Sequence, residues 1–86
     1  MKVYLIHEEY SDCINHEYES YLRLVCSSEA DAKKMCRQLA EELAESTTEG
    51  EAYVECDSEH NPTTYIKHAN HSISESHFTI EEWDVC

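Results

Sequence analysis

The sequence predicts an α+β fold in which one amphipathic helix packs on one face of an antiparallel-rich sheet of about four strands, in the order ββαββ. Two patterns predict it. Apolar side chains recur at helical spacing through residues 32–44, and the flanking segments carry the alternating or β-forming residues typical of strands. The chain has 86 residues, so we assign residues 1–86 to a single domain. Gly50 and Pro62 are the only glycine and proline, which argues against a disordered tail or linker.

The first two strands are predicted at Lys2–Tyr10 and Tyr18–Cys26, joined by a polar hairpin connection at residues 11–17. Apolar residues stand on both faces of the first strand, which is typical of a central strand. In the second strand, period-two alternation predicts that Leu22, Leu24 and Cys26 share one face.

The helix has a predicted start and a predicted buried stripe. Ser28 is expected to cap it, with Asp31 three residues later in a capping-box-like arrangement. Glu29 and Lys33 stand four residues apart, which favours an ion pair. The stripe that we expect to pack on the sheet consists of Ala32, Met35, Cys36, Leu39, Ala40, Leu43 and Ala44.

Alternating and β-forming residues in the second half of the chain predict further strands. Ala52–Asp57 is a third strand, with Val54 and Cys56 facing inward, and the β-forming residues Thr63–Lys67 favour an additional short strand. Ser76–Val85 is the last strand.

In that last strand, Phe78 and Ile80 share a face, but Trp83 has the opposite parity. We expect a β-bulge near Glu81-Glu82 to return Trp83 to the core side.

The five cysteines show no C-x-x-C spacing. We expect Cys26, Cys36 and Cys56 in the core, where cysteine acts as a small apolar residue, and Cys13 and Cys86 at the surface. The short N-terminal apolar run, Val3–Ile6, lacks the length of a signal peptide. We therefore expect reduced thiols in the cytoplasm.

The charge is strongly acidic, with 19 Asp and Glu against six Lys and Arg and a net charge of −13. Residues 46–86 hold nine acids and one base, whereas residues 29–45 hold five acids and three bases. The total exceeds the magnitude of roughly 2 to 8 that is typical of a small soluble domain. It disfavours direct binding of nucleic acid or of an anionic membrane surface, and no segment approaches the roughly 18 apolar residues of a membrane span.

One interpretation of this acid is mimicry of nucleic acid. Alternate residues of a strand stand about 6.6 to 6.8 Å apart on one face, so Glu55 and Asp57 could match the spacing of neighbouring phosphates. Such a surface would occupy the basic groove of a nucleic-acid-binding protein, with tyrosines as anchors. The residues that we predict to contact the partner are Glu55, Asp57, Glu59, Glu81, Glu82, Asp84, Tyr53 and Tyr65.

Two other interpretations remain open. The His- and Cys-rich segment 56–77 could hold zinc through Cys56, His60, His68 and His71, although its spacing matches no established zinc motif. Alternatively, the acid only keeps a structural accessory protein soluble.

Catalytic patterns are weak. The chain has no P-loop, no G-x-G-x-x-G and no G-x-S-x-G. Cys13 and His16 lie in a predicted hairpin loop, which seldom offers a dry pocket, and adjacent strand residues such as Glu81 and Glu82 point to opposite faces. We expect a protein that is not an enzyme and needs no cofactor.

The chain resembles small proteins of bacteriophages and prophages. The resemblance rests on the opening run Lys2–Ile6, the helix entry Leu24–Ala30 and the acidic closing strand Phe78–Trp83. It implies the ββαββ fold, a mobile-element origin and residence in a bacterial host cell. Small acidic proteins of that origin include inhibitors of bacterial defence nucleases, among them anti-CRISPR proteins. The unpaired edge strands of such a sheet also offer a route to a homodimer.

Overall fold

The computed structural model of the chain describes residues 1–12, 17–48, 50–57 and 61–85, which form one helix and one antiparallel sheet. The α+β prediction is therefore confirmed. The sheet has five strands instead of about four, because the segment predicted as an additional short strand pairs on both of its sides. In chain order the elements are β1 (Lys2–Asp12), β2 (Glu17–Cys26), α1 (Glu29–Ser46), β3 (Glu51–Cys56), β4 (Pro62–Lys67) and β5 (Ile73–Asp84).

The strand order β2-β1-β5-β4-β3 explains the position of the helix. The chain leaves the sheet at the edge strand β2 and returns at the opposite edge strand β3, so α1 must cross the sheet. Its 18 residues span about 27 Å, against about 19 Å for the width of five strands, and it contacts all five. The helix covers one face. We call the opposite side the open face, because no other described element covers it.

The core lies between α1 and the centre of the sheet. Ile6 of β1 and Phe78 of β5 are buried against the helix stripe. Burial of such side chains contributes about 1.5 to 3 kcal/mol each. The predicted stripe is confirmed in the structure: its fully buried members are Ala32, Cys36 and Ala40, and those packed at the margin include Met35, Leu39 and Leu43.

The predicted helix start is confirmed as well. The Asp31 backbone N–H donates to Ser28 Oγ at 3.1 Å, which satisfies one of the unpaired amides of the first turn. Lys33 Nζ lies 3.1 Å from Glu29 Oε1. The helix therefore begins where local chemistry alone places it.

The predicted common face for Leu22, Leu24 and Cys26 is wrong for Leu22. The β1–β2 register shifts between Ile6 and His7, which pair with Leu24 and Leu22 and leave Arg23 as an extra residue. One extra residue reverses the side-chain parity beyond it. Leu24 and Cys26 pack on the core, whereas Leu22 lies on the open face and is 56% exposed.

The predicted bulge near Glu81-Glu82 is also wrong. β5 pairs with β1 without a register shift from Ser74 to Asp84, so the period of two continues through Trp83. Trp83 lies opposite Val3 on the open face and is 54% exposed.

Of the three cysteines that were predicted to lie in the core, only one is fully buried. Cys36 is buried, Cys26 is half-buried and Cys56 is exposed. Cys56 is the last residue of the edge strand β3, so no described strand pairs with it on one side. The predicted surface residues Cys13 and Cys86, and the Cys13–His16 pair, lie outside the described residues.

Candidate protein-binding face

The open face has two chemically different ends, because the sheet is not equally wide along its length. β4 pairs only with Ile73–His77 of β5, so five strands meet at one end and three at the other. The five-strand end, which we call the acidic end, presents Glu9, Tyr18, Glu51, Tyr53, Glu55, Tyr65, Glu75 and His77. The three-strand end, which we call the apolar end, presents Val3, Leu5, Leu22, Val25 and Trp83.

The predicted anchors Tyr53 and Tyr65 lie together at the acidic end. They are direct cross-strand partners, and their rings stack with centroids 5.2 Å apart and an interplanar angle of 21°. Stacked aromatic pairs of this kind are worth about 0.5 to 1.5 kcal/mol beyond their buried area. Burial, followed by the nearby Glu75 and Glu55 carboxylates, raises the pKa of Tyr65. Its phenol therefore stays neutral and can donate a hydrogen bond to a partner.

A shallow groove crosses the acidic end from β2 to the residue after β3. Its carboxylates come from Glu9, Glu75 and Asp57, and its aromatic walls are Tyr18 and Tyr65; the remaining lining residues are Ser11, Thr63 and His77. Concave, negatively charged surfaces with aromatic walls suit guanidinium and ammonium groups, through charge and through cation–π contact.

His77 holds the floor of this groove in place. Its Nδ1 lies 2.5 Å from Thr63 Oγ1 and its Nε2 lies 3.7 Å from Asp57 Oδ2. The order hydroxyl, imidazole, carboxylate resembles a nucleophile with its base, although Thr63 is only 7% exposed. Asp57 also accepts from the Asn61 backbone N–H at 2.9 Å, which holds its carboxylate at this end of β4.

Sequence reasoning missed Glu9 and Glu75. Both face the groove because β1 and β5, which are far apart in the chain, pair so that Glu9 lies opposite His77 and Ser11 opposite Glu75. Glu9 and Glu75 have odd numbers in β1 and β5, whereas the core residues Ile6 and Phe78 have even numbers, so alternation along each strand places the two acids on the opposite face. This alternation is the sequence signal that could have identified them. The pairing of β1 with β5 has no local signature.

The other predicted carboxylates do not join this surface. Glu81 lies at the apolar end, about 10 Å across and about 13 Å along the sheet from Glu55. Glu82 and Asp84 alternate to the helix side, where Lys2 Nζ lies 2.7 Å from Glu82 Oε1 and this hydrogen bond raises the pKa of Lys2. Glu59 lies outside the described residues.

Most basic side chains are already engaged with acids away from the open face. Between described residues, the ion pairs of Lys and Arg are Lys2–Glu82, Arg23–Glu8, Lys33–Glu29 and Arg37–Glu41. Within the described ranges, Lys67 is the one Lys or Arg that the register places on the open face. The acidic end therefore keeps an excess of negative charge.

The residues of the zinc hypothesis are not brought together. Cys56 pairs with Pro62 at the start of β4, whereas His68 follows Lys67 at the other end of the strand, about 20 Å away. His68 Nε2 lies 2.8 Å from Ser74 Oγ. No group of three or more potential metal ligands occurs among the residues that the structure describes, and His60 lies outside them.

Comparisons with protein-family models, curated protein sequences and solved structures found no match to this chain. Among the described residues, no helix is both long and apolar enough to cross a membrane. The candidate site thus rests on this chain's own geometry, and the resemblance to phage proteins stays an expectation.

Proposed function

We propose that this chain is a small acidic inhibitor of phage type, which binds a basic surface of a nucleic-acid-handling host protein and blocks its substrate. An anti-CRISPR or other anti-defence role is the most specific form of the proposal. It is supported by the acidic end of the open face, where carboxylates surround a stacked tyrosine pair and a groove.

The charge and the aromatics have separate parts in this proposal. A net charge of −13 steers a basic partner and can raise its association rate by about 10- to 1,000-fold. Tyr53 and Tyr65 then supply rigid contact area at low entropic cost, as tyrosines do at interface centres. We expect an arginine or lysine of the partner to enter the groove between Glu9 and Glu75.

The structure changes which predicted contacts belong together. We propose that Glu55, Asp57, Tyr53 and Tyr65 contact the partner directly, joined by Glu75. Glu82 and Asp84 act only through the long-range field, because they point to the helix side of the sheet.

A pull-down from host lysate across a salt series tests the proposal. We expect a retained protein with a basic groove, whose binding weakens as salt rises, because screening weakens attraction between surface charges. We also expect this chain to compete with the partner's own nucleic acid, and we expect this competition to weaken as salt rises. Partners without basic grooves, or no salt-dependent partner, would leave solubility as the role of the acid.

A matched pair of variants locates the interface. Glu55→Gln with Glu75→Gln removes two charges from the acidic end, whereas Glu19→Gln with Glu45→Gln removes two exposed charges elsewhere. We expect at least a tenfold larger loss of affinity from the first pair, since rim charges mainly alter rate and near-contact charges alter affinity. Equal losses would mean that only net charge matters.

A further inference from the structure

The apolar end of the open face is an exposed patch at the three-strand end of the sheet. Cross-strand register places Val3 beside Trp83 and Leu5 beside Val25, so the patch is contiguous across β2, β1 and β5. Leu22, Val25 and Trp83 are 56%, 58% and 54% exposed. Together the five side chains expose about 400 Å² of apolar surface, within the range of the largest patch on a typical monomer, which is often functional.

The charge at this end differs from that of the rest of the chain. Its carboxylate, Glu81, accepts from Trp83 Nε1 at 2.5 Å and lies 3.0 Å from His7 Nε2. Of the groove carboxylates, Glu75 stands eight residues along β5 from Trp83, whereas Glu9 stands one open-face position from His7, the pairing partner of Leu22. Two copies of the apolar end therefore meet with one carboxylate from each copy at the contact, and that carboxylate is half-exposed and hydrogen-bonded within its own chain.

These observations point to a second copy of this chain as the occupant. We propose a two-fold dimer in which the open faces stack at their apolar ends and the acidic ends point in opposite directions. A two-fold interface is self-complementary, which an apolar patch satisfies. The molecule is 49 Å long, so overlap confined to one end keeps the two acidic grooves apart and open.

The size of the patch sets the strength of the dimer. Two patches bury about 800 Å² of apolar surface, which is below the roughly 1,200 Å² at which stable specific complexes begin. The dimer is therefore reversible and concentration-dependent. The proposal does not depend on the proposed function, because it uses the end of the sheet that the basic partner does not contact.

Sedimentation velocity across protein concentrations and salt tests the dimer. Because each copy carries a charge of −13, we expect the dimer fraction to rise with NaCl, the opposite of the salt dependence expected for the basic partner. The experiment includes a reductant, since Cys56 is exposed and could form disulfide dimers.

Trp83 is the only tryptophan of the chain and reports on the interface. We expect its emission to shift to shorter wavelength as protein concentration rises, because the partner copy removes water from the indole. Pairing of two β2 edges would form dimers while leaving Trp83 in water, so dimerisation without this shift would overturn the proposal.

Variants complete the test. Leu22→Lys with Val25→Lys places charges inside the proposed interface, and Ile73→Lys is the control, because Ile73 is 39% exposed on the open face beside Lys67, away from the apolar end. We expect the double variant to stay monomeric at every salt concentration and the control to dimerise like wild type. Thermal unfolding confirms that each variant folds. Monomeric wild type in high salt, or a double variant that still dimerises, would contradict the proposal.

Discussion

At the scale of single residues, the polar groups buried under α1 are all paired. Glu8 is 8% exposed, accepts from Arg23 Nη1 at 3.1 Å and accepts from Ser76 Oγ at 2.9 Å. A buried carboxylate without such partners would carry a large desolvation cost. No buried side-chain nitrogen or oxygen within the described ranges lacks a hydrogen-bond partner.

Ser76→Ala should destabilise the protein by about 1 to 2 kcal/mol, because it removes a hydrogen bond to a charged, buried acceptor. Urea unfolding measures the change. Ser20→Ala is the control, since Ser20 is exposed on β2. Equal stability of the two variants would mean that Glu8 finds a substitute donor.

Gly50→Ala should lower the free energy of unfolding of the protein by about 1 to 3 kcal/mol. Gly50 has φ of +89°, a conformation that side chains disfavour, and a Cβ there would clash with the Lys67 carbonyl oxygen. Thermal unfolding measures the loss. A variant as stable as wild type would mean that the turn before β3 relaxes at no cost.

The Cys36 thiol should make stability depend on pH in the alkaline range. Burial, followed by the nearby Cys26, raises the pKa of Cys36 from 9.0 to about 11. The unfolded chain therefore loses this proton first, and stability present below pH 9 is lost as pH rises toward 11. At pH 10 the loss is about 1 kcal/mol. The free energy of unfolding, measured in urea at pH 8 and pH 10, should decline less for Cys36→Ala than for wild type. An identical decline would refute the assignment of this pH dependence to Cys36.

At the scale of elements, α1 and the β1–β5 pair carry the fold. The helix connects opposite edges of the sheet, and β1 and β5 join the two ends of the described chain through an unbroken register. Thr64 Oγ1 of β4 donates to the Ala40 carbonyl oxygen of α1 at 2.8 Å, which ties helix and sheet together inside the core. The position of α1 thus depends on the sheet, while its start depends on its own cap.

Ser28→Ala should lower stability by about 1 kcal/mol, because the Asp31 amide loses its acceptor at the helix N-terminus. Ser27→Ala is the matched control, since Ser27 is exposed and precedes the cap. Circular dichroism and urea unfolding measure both. If Ser27→Ala were as harmful, the effect would come from the β2–α1 connection instead of the cap.

At the scale of the whole molecule, a charge of −13 opposes compaction of an elongated chain with a small core. Repulsion between surface carboxylates is screened by salt, and the Debye length falls from about 30 Å at 0.01 M to about 3 Å at 1 M ionic strength. We expect the melting temperature to rise by several degrees over this range. The measurement uses the Leu22→Lys, Val25→Lys variant as well, so that stabilisation by dimerisation is separated from screening. A flat or falling melting temperature would show that repulsion does not limit stability.

The sequence by itself determined the helix, its cap, its buried stripe and the approximate strands, because these follow from local periodicity and capping chemistry. It also placed Tyr53 and Tyr65 on short strands of clear alternation, and the structure stacks their rings as cross-strand partners. Only the tertiary structure decided the register. The extra residue at Arg23 turned Leu22 outward, and the unbroken β1–β5 pairing kept Trp83 outward. Parity along a strand is a local property, but which residues of distant strands lie opposite each other is not. The division of the open face into an acidic and an apolar end therefore became visible only in three dimensions.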